Sequence, residues 1–320
     1  MNIWSGINMR NIIIIITLIM SVMLFTSNPL DSSLRLYQAI WNTGHLFFFA
    51  LLTVLLITQT SLIRQGRLRI LLISLLFGLL LGGLIEVLQF LIGRSMELQD
   101  LLTDVLGALL GYLVVLQLAV FKQRPVHYIN RPVIFLLSGI VLVVAFYPVF
   151  DVIKDNSMIE NDFPVIADFE SENTLGRWAS RHVGRFEIDH KVHIEGKSSV
   201  LIEFEVGRYP RVALDALYRD WSSYNFLNLS IHNDQKDTID IKLKVYDGKH
   251  LSTGAVYSDR FSQLISLDPG WNTLQFKLLD IRNAPKTRPM NLKDIAGISL
   301  FIQGPDEVKL IHLDNIYLSK

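Results

Sequence analysis

The chain has 320 residues, half of them hydrophobic, with 30 basic and 30 acidic side chains and no cysteine. Balanced charge leaves no electrostatic footprint for nucleic acid, and the missing cysteines exclude disulfides, thiol catalysis and cysteine metal sites together. The length accommodates two domains, and the apolar residues crowd into the first half while most of the charge sits in the second.

In chain order, Asn11 to Leu30 is free of charge, opens on the run IIIIITLIMSVMLF and follows Arg10. The run ends in TSNP rather than a small-x-small cleavage site, so it reads as an uncleaved first membrane helix. Asp31 to Gly44 is mixed in character and reads as a loop with room for a half-turn of amphipathic helix. Four further apolar runs follow: His45 to Ile63, Arg69 to Ile92, Leu101 to Phe121 and Pro132 to Phe150. Each is long enough to cross a hydrocarbon core of about 30 Å as a helix. The sequence therefore predicts a membrane α-helical bundle of five transmembrane helices over residues 1–151, in contact with the lipid bilayer.

Orientation follows from the basic residues. Arg10, Arg64, Arg67, Arg69, Lys122, Arg124 and Arg131 fall on one side of a five-span arrangement, and only Arg35 and Arg94 on the other. The richer side is expected to be cytoplasmic, with the N-terminus, which places everything after Phe150 outside.

Two of these helices carry polar groups where lipid-facing helices have none. At about 100° per residue, Gly78, Gly82, Glu86, Gln89 and Gly93 share an arc of about 80°, and Asp100, Asp104, Gly107 and Gly111 one of about 60°. Glycines at four-residue spacing let helices approach closely, so the two stripes are expected to face each other. His45 is placed at the outer end of the second helix, level with Glu86, Gln89, Arg94, Asp100 and Asp104. An intramembrane charge costs at least about 2.5–3.5 kcal/mol, so these six residues form the candidate site, for binding or for catalysis. The competing reading has Arg94 pairing with Asp100 and the rest serving as helix glue. A His, a Glu and two Asp offer ligands for a divalent metal, and Arg94 a fork for phosphate.

His45, the Gly82/Glu86/Gln89 run, Arg94 and the pattern Asp100, Asp104, Gly107, Gly111 resemble the VanZ-like membrane proteins, over roughly Leu36 to Gln117. The family often has Asn where this chain has Asp104, and the extra carboxylate favours a cation or a shared proton. The resemblance implies an envelope role without assigning a reaction.

The segment DVIKDNSMIEND is polar and reads as an exposed linker over 152–163. From Pro164 the pattern changes to alternation. SVLIEFEV, FLNLSIHN, IDIKLKVYD, NTLQFKLL, GISLFIQ and KLIHLDNIYL read as strands with one buried face, with turns at Asp247-Gly248, Pro269-Gly270 and Gly304-Pro305. Residues 164–320 are thus expected to form an all-β, two-sheet antiparallel sandwich. Charge on the exposed faces argues against a membrane barrel.

ADFE at Ala167, EGKSS at Glu195, DWSSYNFLNLSI at Asp220, PGWNTLQF at Pro269 and HLDNIYL at His312 resemble jelly-roll carbohydrate-binding modules of galactose-binding-like fold, across Val165 to Leu318. The resemblance implies a structural calcium held by Asp168, Glu170, the Lys197 carbonyl and Asp314; solvated acidic strand ends are the plainer alternative. It also implies that Trp221 and Trp271 fill the core, leaving Tyr209, Tyr218 and Trp178 for a sugar-stacking surface. The combined expectation is a multi-pass protein of the bacterial cytoplasmic membrane. Its extracytoplasmic lectin-like domain serves as an accessory or binding protein for envelope polysaccharide or glycolipid. The alternative is an enzyme acting on a lipid-linked phosphosugar through the membrane site.

Overall fold

The computed structural model describes residues 9–25, 35–91, 98–118, 131–207 and 209–320. The chain divides into two compact units, Met1–Ile153 and Lys154–Lys320.

The first unit is built from helices α1 (Met9–Phe25), α2 (Arg35–Gln59), α3 (Arg67–Leu91), α4 (Leu98–Gln117) and α5 (Arg131–Asp162). Four of them, α2 to α5, are long and apolar enough to cross a membrane, against the five expected. The fifth candidate, α1, is helical over 17 described residues. Leu72, Leu76, Leu80, Phe135 and Leu136 point outward and are exposed, whereas His45, Glu86, Gln89, Asp100 and Asp104 are buried. Apolar outside and polar inside inverts the order of a water-soluble core, and it is the order a lipid solvent imposes.

Two boundaries differ from the sequence expectation. Arg35 to Gly44, read as a loop, is the first part of α2. His45 therefore lies well inside its helix, about 15 Å from that end at 1.5 Å per residue. Residues 152–162, read as a linker, continue α5 without a break. Within the second unit the reason is visible: Asp155 is buried, and Arg177 Nε donates to its Oδ1 at 2.8 Å. That anchored charge gives the polar end of α5 a docked face.

Helix α4 packs against both α2 and α3, and glycine decides how closely. A Cβ on Gly78 of α3 would stand 2.9 Å from the Ala108 Cβ, and one on Gly82 2.5 Å from Asp104 Oδ2. On α4, a Cβ on Gly107 would stand 2.5 Å from the Leu46 carbonyl oxygen, and one on Gly111 would overlap the Ala50 carbonyl. The α3 stripe thus faces α4 as expected, but the glycines of α4 face α2. A 100° stripe identifies a close-packed face without naming its partner.

The second unit is a sandwich of two antiparallel sheets. One sheet runs β3 (Val183–Asp189), β4 (Ser199–Phe204), β11 (Lys309–Ser319), β6 (Phe226–Asn233), β9 (Gly270–Lys277), with β1 (Val165–Ala167) against β11. The other runs β2 (Trp178–Arg181), β5 (Arg211–Leu214), β10 (Ile295–Phe301), β7 (Ile239–Asp247), β8 (Phe261–Leu267). Alternate residues of each strand, such as Leu227, Leu229 and Ile231 on β6 and Ile241, Leu243 and Val245 on β7, close the core. The Pro269-Gly270 turn carries the chain from one sheet to the other. Asp247-Gly248, expected as a tight turn, instead opens the short helix α6 (Gly248–Ser252), with Asp247 Oδ1 accepting from the His250 N–H at 3.0 Å. Arg288 also donates both terminal nitrogens to Asp247, which pins the loop before β10 to the end of β7.

The glycine contacts give a direct test of the bundle. Gly111→Val forces a side chain into the α2 backbone and should cost about 1–3 kcal/mol, the usual price of overpacking. Gly83→Ala, where nothing lies within 4 Å of the new methyl, should be neutral or stabilising by up to about 1 kcal/mol. Thermal unfolding of the detergent-purified protein reads both.

Candidate functional site

Three helices deliver the polar cluster. His45 comes from α2, Glu86 and Gln89 from α3, and Asp100 and Asp104 from the first two turns of α4. His45 Nδ1 lies 2.8 Å from Asp104 Oδ1, and its Nε2 lies 3.8 Å from Asp100 Oδ2. His45, Glu86 and Asp100 each offer a ligand atom, all within 4.8 Å of one another. The imidazole thus stands between two carboxylates of one helix, with a third carboxylate from α3 beside it. Such a set can share protons or hold a cation, since like charges this close are stable only when something positive lies among them.

Helix geometry explains the convergence. Asp100 and Asp104 are one turn apart and project from one face of α4. Gly82 has no Cβ, so the Asp104 carboxylate packs directly over the α3 backbone. Of the residues expected at the site, His45, Glu86, Gln89, Asp100 and Asp104 are buried, and the first four ionisable groups named above meet. Arg94 lies outside the described residues.

In the β unit, Glu170 Oε1 accepts the N–H groups of Lys197 and Ser198 at 2.7 and 3.1 Å. Asp314 Oδ2 accepts those of Ile194 and Glu195 at 2.9 and 3.2 Å. The N–H of Lys197 leads the contacts that hold the Glu170 carboxyl below the usual range. Burial pushes Asp314 up, against three backbone N–H groups that pull it down. Asp168 Oδ1 accepts from the Glu170 N–H at 3.2 Å. Asp314 fastens the 194–198 turn to β11 and Glu170 fastens it to the segment after β1, and among the described residues these carboxylates do not form a three-ligand metal group. Trp221 is fully buried in the core, as expected, and Trp178, expected at the surface, is buried too, between Phe169 and Phe186. Trp271 is half-buried on the outer face of its sheet, edge-on to His232. Tyr209 and Tyr218 are exposed.

Residues 2–121 match the family model described as VanZ/LLP1. Over those residues the chain is similar to that family. No curated protein matches the chain. Among solved structures, an exo-beta-agarase is similar at 18% identity and a TM-score of 0.40, over 48% of this chain and 24% of its own. The chain therefore spans about a quarter of that enzyme. The family 11 carbohydrate-binding module of Clostridium thermocellum, solved with a beta-1,3-1,4-mixed-linked tetrasaccharide, is similar at 16% identity and a TM-score of 0.36, over 48% of this chain and 94% of its own. A family 30 carbohydrate-binding module from the same organism is similar at 10% identity and a TM-score of 0.34, over 45% and 91%.

One feature of the β unit was not anticipated from the sequence. A pocket of about 180 Å³ opens among Tyr209, Arg211, Lys244, Arg260, Ser299 and Phe301. Register explains it: Phe301 pairs with Arg211 and Ser299 with Lys244, so their side chains share the outer face of the β5-β10-β7 sheet. Burial pushes the Lys244 ammonium down to about 8, and the charges of Arg260 and Arg211 push the same way. Lys244 Nζ lies 4.2 Å from the centre of the Tyr246 ring, and the Arg260 guanidinium 4.6 Å from that of Tyr257.

The His45–Asp104 contact in the membrane unit can be weighed. His45→Ala strands a buried carboxylate and should cost about 3 kcal/mol, the scale for breaking a buried pair, whereas membrane hydrogen bonds average about 0.6 kcal/mol. The double variant His45→Ala/Asp104→Ala should recover most of the loss. A double-mutant cycle by unfolding in detergent separates the two scales, and a coupling near the smaller value would make the contact ordinary helix glue.

Proposed function

We propose that the chain is a membrane-anchored glycan-binding protein whose β-sandwich takes an acidic sugar or sugar phosphate from envelope polysaccharide or glycolipid. The pocket on the five-stranded sheet carries this reading. Three cations, Arg211, Lys244 and Arg260, converge beside the aromatic faces of Tyr209 and Phe301. Aromatic faces take the apolar face of a pyranose ring, and guanidinium groups take carboxylate or phosphate in a planar fork. An anion among the three cations relieves the repulsion that adds to burial in depressing Lys244.

Lys244 is charged below about pH 8 and neutral above it. Affinity for a uronate oligosaccharide should therefore be full below that value and decline as the pH rises through it, with proton uptake on binding. Raising the salt should also weaken it. Lys244→Met should lower affinity and remove the pH dependence in that range. Calorimetric titration of the full-length protein with oligogalacturonate and with a neutral β-glucan reads all three. Equal, salt-independent binding of the neutral glycan would overturn the acidic-ligand assignment.

The reading also requires the β unit to face the envelope. The basic residues support a cytoplasmic N-terminus and an extracytoplasmic sandwich. A reporter fused after Arg124 should be cytoplasmic and one after Lys320 external. The reverse result at Lys320 would place the pocket away from any envelope glycan.

A second reading, an enzyme on a lipid-linked phosphosugar, is favoured by one observation: the buried convergence of His45, Glu86, Asp100 and Asp104. Glu86→Gln keeps shape and removes charge, so it separates the readings. Under the binding reading this variant retains glycan affinity and complements a deletion. Loss of complementation at normal abundance and undiminished glycan affinity would favour the enzyme.

A further inference from the structure

On the outer face of the six-stranded sheet, away from the acidic-sugar pocket, His232 of β6 and His312 of β11 are cross-strand partners. Their ring centroids stand 5.9 Å apart. Asp234, just past the end of β6, turns its carboxylate between them. Its Oδ1 lies 2.6 Å from His232 Nδ1, and its Oδ2 lies 3.1 Å from His312 Nδ1. One ligand atom from each of the three residues lies within 4.8 Å of the others.

The other side of His312 fixes its chemistry. His312 Nε2 lies 3.0 Å from Asp189 Oδ2. The Asp189 carboxylate also accepts the N–H groups of Lys191 and Val192, each at 3.2 Å. Asp189 thus gathers donors, and His312 Nε2 is placed to be one more of them. That contact turns the other ring nitrogen, Nδ1, toward Asp234. The His312 side chain is 5% exposed, and its Nδ1 makes no hydrogen bond although Asp234 Oδ2 is close. A buried ring nitrogen that faces a carboxylate oxygen outside hydrogen-bond geometry is a place where a cation would find two donors.

We propose that His232, Asp234 and His312 form a binding site for a divalent transition metal, zinc in the first instance. Two imidazole nitrogens and a carboxylate oxygen are a common donor set for zinc. Asp189 is then the outer carboxylate that orients the histidine and raises its basicity. The His232 and Asp234 side chains are each 23% exposed, which leaves a position for water or a sugar hydroxyl. The Trp271 ring, edge-on to His232 with centroids 5.2 Å apart, gives that position an aromatic wall.

The test is zinc titration of chelator-stripped, full-length protein in detergent, in competition with a chromophoric chelator. His232→Gln and Asp234→Asn should each remove one zinc equivalent, while His45→Ala, in the membrane cluster, leaves that equivalent in place. Asp189→Asn should keep the stoichiometry and weaken affinity by about 10–100-fold, the scale for losing an outer partner. A circular dichroism spectrum and melting curve in zinc-free buffer that match wild type show that each variant is folded. If wild type binds no zinc, or if His232→Gln and Asp234→Asn leave the stoichiometry unchanged, the site is a hydrogen-bonded network and the proposal fails.

Discussion

The membrane unit depends on how closely α4 can approach its two neighbours. Gly107 and Gly111 let its backbone lie against the Leu46 and Ala50 carbonyls, and Gly82 lets the Asp104 carboxylate lie against α3. These contacts set the distance from which Asp104 reaches His45. Lipid supplies no hydrophobic drive between helices, so close packing and polar contacts must hold the bundle. The glycines that permit packing and the carboxylates that make the site are therefore one arrangement. A larger residue at Gly82 would displace the site as well as the helix.

The sandwich solves a different problem with the same economy. Alternate residues go to the core, so each strand has only its outward positions left for chemistry. On β7 the core takes Ile241, Leu243 and Val245, which leaves Lys242, Lys244 and Tyr246 outside. On β11 it takes Ile311 and Leu313, leaving His312 and Asp314. Each of those outward residues gains neighbours only across strands, from register. Arg211 reaches the pocket beside Lys244 and Arg260 because it opposes Phe301, and His312 meets His232 for the same reason.

That difference explains what was legible in the sequence. Residues His45, Glu86, Asp100 and Asp104 could be grouped because helical period and apolar background expose local stripes. The partner of each stripe could not, since periodicity says which face is packed and not against what. The start of α2 was hidden because Arg35 to Gly44 mixes charge, aromatics and glycine. The end of α5 was hidden because its polarity reads as solvent exposure until Arg177, 22 positions away, is seen on Asp155. Six strands with clean alternation were visible, whereas short or charged ones such as Trp178–Arg181 and Arg211–Leu214 were not. His232 and His312 are separated by a stretch holding β7 to β10, and no local spacing joins them. Only their shared outward parity on strands that pair in the fold does so.

The two outer faces differ in sign, and the difference constrains what each can do. The five-stranded sheet gathers Arg211, Lys244 and Arg260 around its pocket, whereas the six-stranded sheet gathers Asp189 and Asp234 beside its two histidines. An anionic ligand is drawn to the first and repelled by the second, and a cation the reverse. With ionised groups on both, a screening length of about 10 Å at 0.1 M salt keeps the two fields largely local. One small domain can thus present two independent surfaces of opposite preference. The price is paid in packing, because Lys244 and His312 are both more buried than charged or titratable groups ordinarily are. Burial leaves the Lys244 ammonium with the most to gain from a neutralising ligand, and it shuts the His312 Nδ1, beside Asp234, away from bulk water.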